Sequence, residues 1–308
     1  MKMQIWKRLS TFLPSKNNSF SVSHCMLPTP IKIKKNTYRV FYGSRNKKGI
    51  SRIFFSDLLL KKNSIIINRK KSKPCLSNGK LGAFDDNGVL PSSIIKIGKK
   101  IYLYYIGWRP GGTTRYSLIA GLAISSNQGK NFKRYSNAPI LKTNNKEPYS
   151  ILTAPSVLKV KKNLYYMWYV SGIDWKNKDY PKYNIKLAKS YNLKDWKQTG
   201  KVCINLKKSE RAVARPFVIF ENKKFKMWYC YEKKVGKYKI GYAESNNGIK
   251  WKRKDGSLKF IGPKNKYEKK MMAYPSILFF NNKKLMMYNG NEYGKYGINF
   301  AQLITLVN

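Results

Sequence analysis

LYYMWYV at 164–170 and KFKMWYC at 224–230 are near copies of one another, and looser versions stand at 37–43 (TYRVFYG), 101–107 (IYLYYIG) and 284–290 (KLMMYNG). Each follows a short Lys/Asn turn: KKN at 34–36, GKK at 98–100, KKN at 161–163, NKK at 222–224 and NNKK at 281–284. Ahead of each turn is a short apolar run opened by proline. These runs are PTPIKI, PSSIIKI, PSVLKV, PFVIF and PSILFF, starting at Pro28, Pro91, Pro155, Pro216 and Pro275. The prolines are 63, 64, 61 and 59 residues apart, and self-similarity at a near-constant period marks a repeat architecture.

Two β-rich runs joined by a short polar turn read as a hairpin. A third run follows in every unit, as in IAGLAISSN at 119–127 and KIGYAESNN at 239–247. A fourth carries one aromatic: NFKRY at 131–135, DWKQ at 195–198 and KWKR at 250–253, with SIIINRK at 64–70 a weaker member. Four antiparallel strands repeated five times predict an all-β, five-bladed propeller in one domain. The blades are expected at about 24–75, 84–141, 147–204, 210–261 and 268–303. The last unit stops after three strands, while IWKR at 5–8 matches KWKR at 250–253. Residues 4–10 are therefore expected to add the missing outer strand and close the ring.

The formal net charge is +49, yet only 11 of the 63 basic residues are arginine. Nucleic-acid sites favour the planar guanidinium fork, and lysine can simply coat a surface, so a nucleic-acid partner is not expected. No apolar run approaches the roughly 18 residues that span a bilayer, and the first residues lack the apolar core of a secretory signal. Four scattered cysteines and one histidine give no zinc spacing. Reduced thiols in a cytoplasmic chain, with no cofactor or metal, are the expectation.

In such blades the first strand lines the central channel, and the segment leading into it shares a face with the loop between strands two and three. Acids are scarce, 14 in 308 residues, yet four of the five lead-ins carry one: Asp85 and Asp86, Glu147, Glu210 and Glu268. Asp86 (or Asp85) as base, with Glu147 or Glu268 as proton donor, is the expected catalytic set if these carboxyls meet at a central cavity. The same face offers Arg45, Trp108, Arg115 and Trp175 in loops, with His24, Arg215 and Tyr274 ahead of marker prolines and Asn291 in the last loop. Flat aromatic faces suit pyranose rings, and arginines suit an anionic sugar. These residues are expected to bind a carbohydrate.

The repeating PSV…MWY…GLAxSxDGxxW grammar resembles the five-bladed propeller superfamily of β-fructosidases, arabinanases and xylosidases. FDDNGVLPSS, YLYYIGW, PILKTNNKEPY, MWYVSG, VARPFVI and YNGNEYG further resemble a bacterial group of glycosidase-like propellers associated with surface-polysaccharide genes, over residues 24–303. The resemblance implies a pocket that works on glycans with carboxylates across the channel, because one group must protonate the leaving oxygen while another attacks or activates water. Two positions depart from the pattern. The first lead-in, SHCMLPTP at 23–30, has no acid, and the Arg-Asp-Pro signature of β-fructosidases is represented by Arg215-Pro216 without its aspartate. A non-catalytic sugar-binding propeller and a polyanion-docking module are the other expectations.

Overall fold

A computed structural model describes residues 3–15, 20–62, 64–68 and 73–307; Arg69 and Lys70 of the weaker fourth-strand segment lie outside them. Five antiparallel blades follow the sequence repeat, the second, third and fourth joined edge to edge by short parallel pairings of Ile151 and Leu152 with Leu118 and Ile119 and of Ala212 with Tyr183. The first consists of Ser23–Lys34, Thr37–Arg45, Ser51–Leu60 and Ile65–Asn68. The second has Val89–Ile97, Lys100–Pro110, Tyr116–Ser125 and the stub Lys133–Arg134. Ile151–Lys161, Leu164–Trp175, Pro181–Ser190 and Lys197–Ile204 form the third. Ala212–Glu221, Lys224–Glu232, Lys239–Ser245 and Lys252–Arg253 form the fourth. The Lys-rich first hairpins thus point to one face of the disc and the second-to-third loops to the other.

The fifth sheet closes the ring as the sequence predicts. Ala273–Phe280, Lys283–Asn289 and Gly297–Val307 are joined by Met3–Pro14, antiparallel to the last of them. The clasp is longer than the expected 4–10, and Leu258–Ile261 adds to its outer edge in parallel. Strand pairing alone would leave this seam wet. Trp6 fills it: the side chain is fully buried among Trp228, Ile277, Met286 and Tyr288, and meets Trp228 edge to face with centroids 6.4 Å apart. Gln4 accepts a bond from both indole N–H groups, each at 3.3 Å, which settles the two polar tips that burial would otherwise strand.

The marker prolines have a local cause. Pairing of the first and second strands slips between Met26 and Thr29, Pro91 and Ser93, Thr153 and Ser156, Ala214 and Phe217, and Ala273 and Ser276. Proline lacks the N–H a ladder needs, so it collects at such bulges. In four blades the residue ahead of it is left-handed: Leu27, Ala154, Arg215 and Tyr274 have φ of 55, 46, 50 and 58°. Such non-glycine conformations cost about 1–3 kcal/mol each and persist only where packing over-determines them. Across the bulge from each marker proline stands one second-strand tyrosine: Tyr42, Tyr105, Tyr169, Tyr229 or Tyr288.

Trp6→Ala should lower the unfolding free energy by about 3–5 kcal/mol, the usual cost of emptying a buried aromatic site. Urea unfolding checks this; an unchanged midpoint would mean the clasp is not part of the cooperative fold.

Candidate functional site

The lead-in carboxylates do not meet at a common cavity. Asp85, Glu147 and Glu268 are each buried inside their own blade against that blade's tyrosine and a cation. Asp85 is 1% exposed; Tyr105 Oη donates to it at 2.9 Å and Arg134 Nε at 2.8 Å. Glu147, also 1% exposed, takes the Tyr169 hydroxyl at 2.8 Å and Gln198 Nε2 at 2.7 Å, with Lys186 Nζ at 3.5 Å. Glu268 takes Tyr288 Oη at 2.5 Å and pairs with Arg8 of the clasp at 2.9 Å. In the fourth blade Arg253 grips Glu210 through both terminal nitrogens at 2.8 Å, while Tyr229 bonds Asp255 instead. Burial raises all four tyrosine hydroxyls, so they stay protonated donors.

Each member of the expected catalytic set thus makes its bonds within its own blade or its clasp. Asp85, Glu147 and Glu268 are spent on holding strands together, since an unpaired buried carboxylate is too costly to persist. Asp86 closes the turn before its strand, accepting the Gly82 N–H at 2.9 Å, with Arg109 Nε 3.7 Å away. The first blade, which has no acid, places the Ser21 and Ser44 hydroxyls 2.5 Å apart at its lead-in, and Tyr42 reaches Ser56 at 3.3 Å.

The axis itself is packed. Leu27, Ile106, Ala154, Val170, Ala214 and Ala273, from all five blades, belong to one buried cluster on the loop face. Tyrosines pack with it: the Tyr183 and Tyr238 hydroxyls are 2.5 Å apart, and Tyr274 stacks with Tyr293 at 6.4 Å. Below them Arg215 crosses from the fourth blade to Thr29 Oγ1 of the first, at 3.0 Å. It is 1% exposed, and its Nε and Nη1 have no protein acceptor. Burial without a counter-ion lowers its pKa to about 10. Alongside, Arg211 pairs with Glu232. Burial nevertheless pushes the Glu232 carboxyl up. Glu232 ends a second strand, outside the lead-ins to first strands where the repeat gathers its other acids.

The remaining predicted binding residues split into two groups. His24 (φ 71°) adjoins Arg45, Lys295 and Glu292 where the first and fifth blades meet. Its Nδ1 is 2.7 Å from Ser23 Oγ. Burial first, then Arg45 and Lys295, lower its pKa to about 4, so it is neutral at neutral pH. Burial also lowers the half-buried Arg45. Trp108 and Trp175, expected in loops, lie toward the ends of the second strands of blades two and three, and Arg115 lies in the loop that follows in blade two. Trp175 packs edge-on to Tyr116 at 5.8 Å, and Arg115 stands 3.5 Å from Asp179, both exposed.

The open space lies beside the plugged axis. A cavity of about 740 Å³ opens between blades four and five on the loop face, walled by Lys237, Lys266, Tyr267, Lys270, Asn291, Glu292, Tyr293 and Tyr296 among others. Its far wall is a strained turn: Glu292 and Tyr293 are both left-handed, φ 53 and 57°. Asn291 fixes this turn to the lysine-bearing loop. Its Oδ1 accepts the N–H groups of Lys270 and Met271 at 2.9 and 3.1 Å, and its Nδ2 donates to Lys266 O at 3.1 Å. Gly290 permits the contact, because a Cβ there would come within 2.0 Å of Tyr267 O. Glu292 is the carboxylate in the lining. Lys295 and Tyr296 donate to it at 2.7 and 2.9 Å, which holds its pKa below the usual range. Among the described residues, no three potential metal-ligating side chains cluster.

The five blades and their closure by the N-terminal strand define a five-bladed β-propeller. The sequence pattern of the "Glycosyl hydrolases family 32 N-terminal domain" matches residues 67–214. A solved "Glycoside hydrolase" superposes with a TM-score of 0.74 at 15% identity, covering 97% of this chain and 92% of that one. Another solved structure, described as "The GH130 family of mannoside phosphorylases contains glycoside hydrolases that target beta-1,2 mannosidic linkages in Candida mannan", gives 0.72 at 13% identity, covering 97% and 94%. "Uncharacterized protein Rv1502" of Mycobacterium tuberculosis is 30% identical over 303 residues, 97% of this chain and 99% of that protein. The chain belongs to the family of this mycobacterial protein.

Neutral burial of His24 makes acid destabilising. The folded pKa is depressed, so the unfolded chain binds the extra proton and stability falls as pH drops from about 6.5 to about 4. His24→Asn should flatten the unfolding free energy across that window, measured by urea titration at several pH values. An unchanged slope would place His24 in water.

Proposed function

We propose that the protein is carbohydrate-active and takes a glycan or activated sugar of surface-polysaccharide metabolism into the cavity between blades four and five. One observation carries this reading: the open, preorganised cavity combines tyrosine rings, an ionised carboxylate and lysines on the loop face of a glycoside-hydrolase-type propeller. Rings supply apolar faces for a pyranose, and the Glu292 oxygens accept its hydroxyls. Cys75, Cys203 and Cys230, buried and in no disulfide, support a cytoplasmic setting.

Sugar binding is the reading the geometry supports best, because the carboxylates once expected to do chemistry are engaged within their own blades. A hydrolytic variant is favoured by one feature. Glu292, held ionised by Lys295 and Tyr296, has the state of a base that activates water.

Calorimetric titration with surface-glycan fragments and nucleotide sugars tests both readings. Glu292→Gln is expected to weaken binding roughly tenfold, the loss of about one charge-assisted hydrogen bond. Asp86→Asn should leave binding unchanged. Equal affinity in the wild type and Glu292→Gln would remove the cavity as the sugar site. Product formation that disappears in Glu292→Gln would establish the hydrolytic variant.

A further inference from the structure

The same cavity carries a charge signature that goes beyond sugar recognition. Lys237, Lys266 and Lys270 come from two separate loops, 233–237 and 264–271, and converge on one space. Their opposing acid is already engaged, since Lys295 of the same turn donates to Glu292 at 2.7 Å. Three lysines therefore line the cavity, and its one lining carboxylate is already paired. The loop bearing two of them is pinned through its backbone by Asn291, so its shape is set before a ligand arrives.

The kind of cation narrows the anion. No arginine lines the cavity, although the chain places Arg211, Arg215 and Arg253 in buried positions elsewhere. A planar carboxylate is best met by the guanidinium fork. Point-charge ammonium groups arriving from several directions suit a tetrahedral phosphate, whose oxygens diverge.

Resting on the reading of the cavity as a sugar site, we infer that its ligand is a phosphate-bearing sugar, with the phosphate-ester oxygens held by Lys237, Lys266 and Lys270. A sugar phosphate and a nucleotide diphosphate sugar share that chemistry. In either case the phosphate lies on the lysine loops, and the pyranose lies toward Tyr293 and Glu292.

The test is calorimetry on the full chain with glucose, glucuronate, glucose 1-phosphate, UDP and UDP-glucose at fixed ionic strength. The triple variant Lys237→Gln/Lys266→Gln/Lys270→Gln removes the cavity charge. Lys34→Gln/Lys99→Gln/Lys162→Gln removes the same charge from the exposed first hairpins of the opposite face. The phosphorylated sugars should bind at least about tenfold more tightly than glucose and glucuronate. That preference should vanish in the cavity variant and persist in the control. Tighter binding of glucose 1-phosphate than of UDP-glucose would identify the monoester as the source, and the reverse order the diphosphate. Three results would overturn the inference. Glucose binding as well as its phosphate, with the cavity variant unaffected, removes the phosphate and leaves the sugar site standing. Equal weakening in both triple variants reduces the effect to net charge. If UDP binds and no sugar adds to it, the sugar reading itself falls.

Discussion

A carboxylate sealed inside a β-blade must find a donor and a cation, and this ring is organised around that demand. In blades two and five the acid leading into the first strand receives the hydroxyl of the second-strand tyrosine and a base from an outer strand; in blade three it receives the tyrosine hydroxyl, Gln198 of the outer strand and Lys186 of the third strand. The fourth blade distributes the same parts over Glu210, Asp255, Tyr229 and Arg253. In blades two to five these contacts thereby tie the lead-in, the second strand and an outer strand together. In the fifth blade the base is Arg8, so the lock also fastens the terminal clasp. Hydrophobic packing between blades is less directional, so the locks and the Trp6 seam act together. Packing supplies most of the burial, and the polar triads fix register, because a slip would leave a buried charge unpaired.

That arrangement explains what could be read from the chain and what could not. The repeating aromatic segment, the marker prolines and the IWKR echo gave blade number, strand order and closure, because each reports local chemistry: hairpin turns, bulges and an edge strand in search of a partner. The acids ahead of the prolines were equally visible, but their meaning was not. An acid repeated at one place in every unit suggests symmetry, and symmetry about an axis suggests convergence on it. What sequence cannot give is the direction in which the side chain leaves the backbone. Tyr105, Tyr169 and Tyr288 stood in the same repeat as partners waiting for those acids, and regular spacing from acid to tyrosine was the available signal of a structural bond.

The binding residues show the same division. His24, Arg215 and Tyr274 lie at the axial end of the first strands, yet the expected axial cavity is filled by tyrosines and aliphatic side chains. The opening moved sideways because Asn291, read as a sugar ligand, instead spends its amide on the neighbouring loop and shapes a wall. Lys237, Lys266 and Lys270 were hidden among 52 lysines. Composition gives no way to distinguish a lysine facing a cavity from one facing water, and only the meeting of two loops separates them.

The most direct test of the locks is a double-mutant cycle on Glu147→Gln and Tyr169→Phe, read by urea unfolding. If the carboxylate is a structural partner of the tyrosine, the two changes should be non-additive, with a coupling energy of about 1–3 kcal/mol. Additive effects, with Glu147→Gln leaving the unfolding midpoint where it was, would contradict the assignment and return Glu147 to the search for a catalytic group.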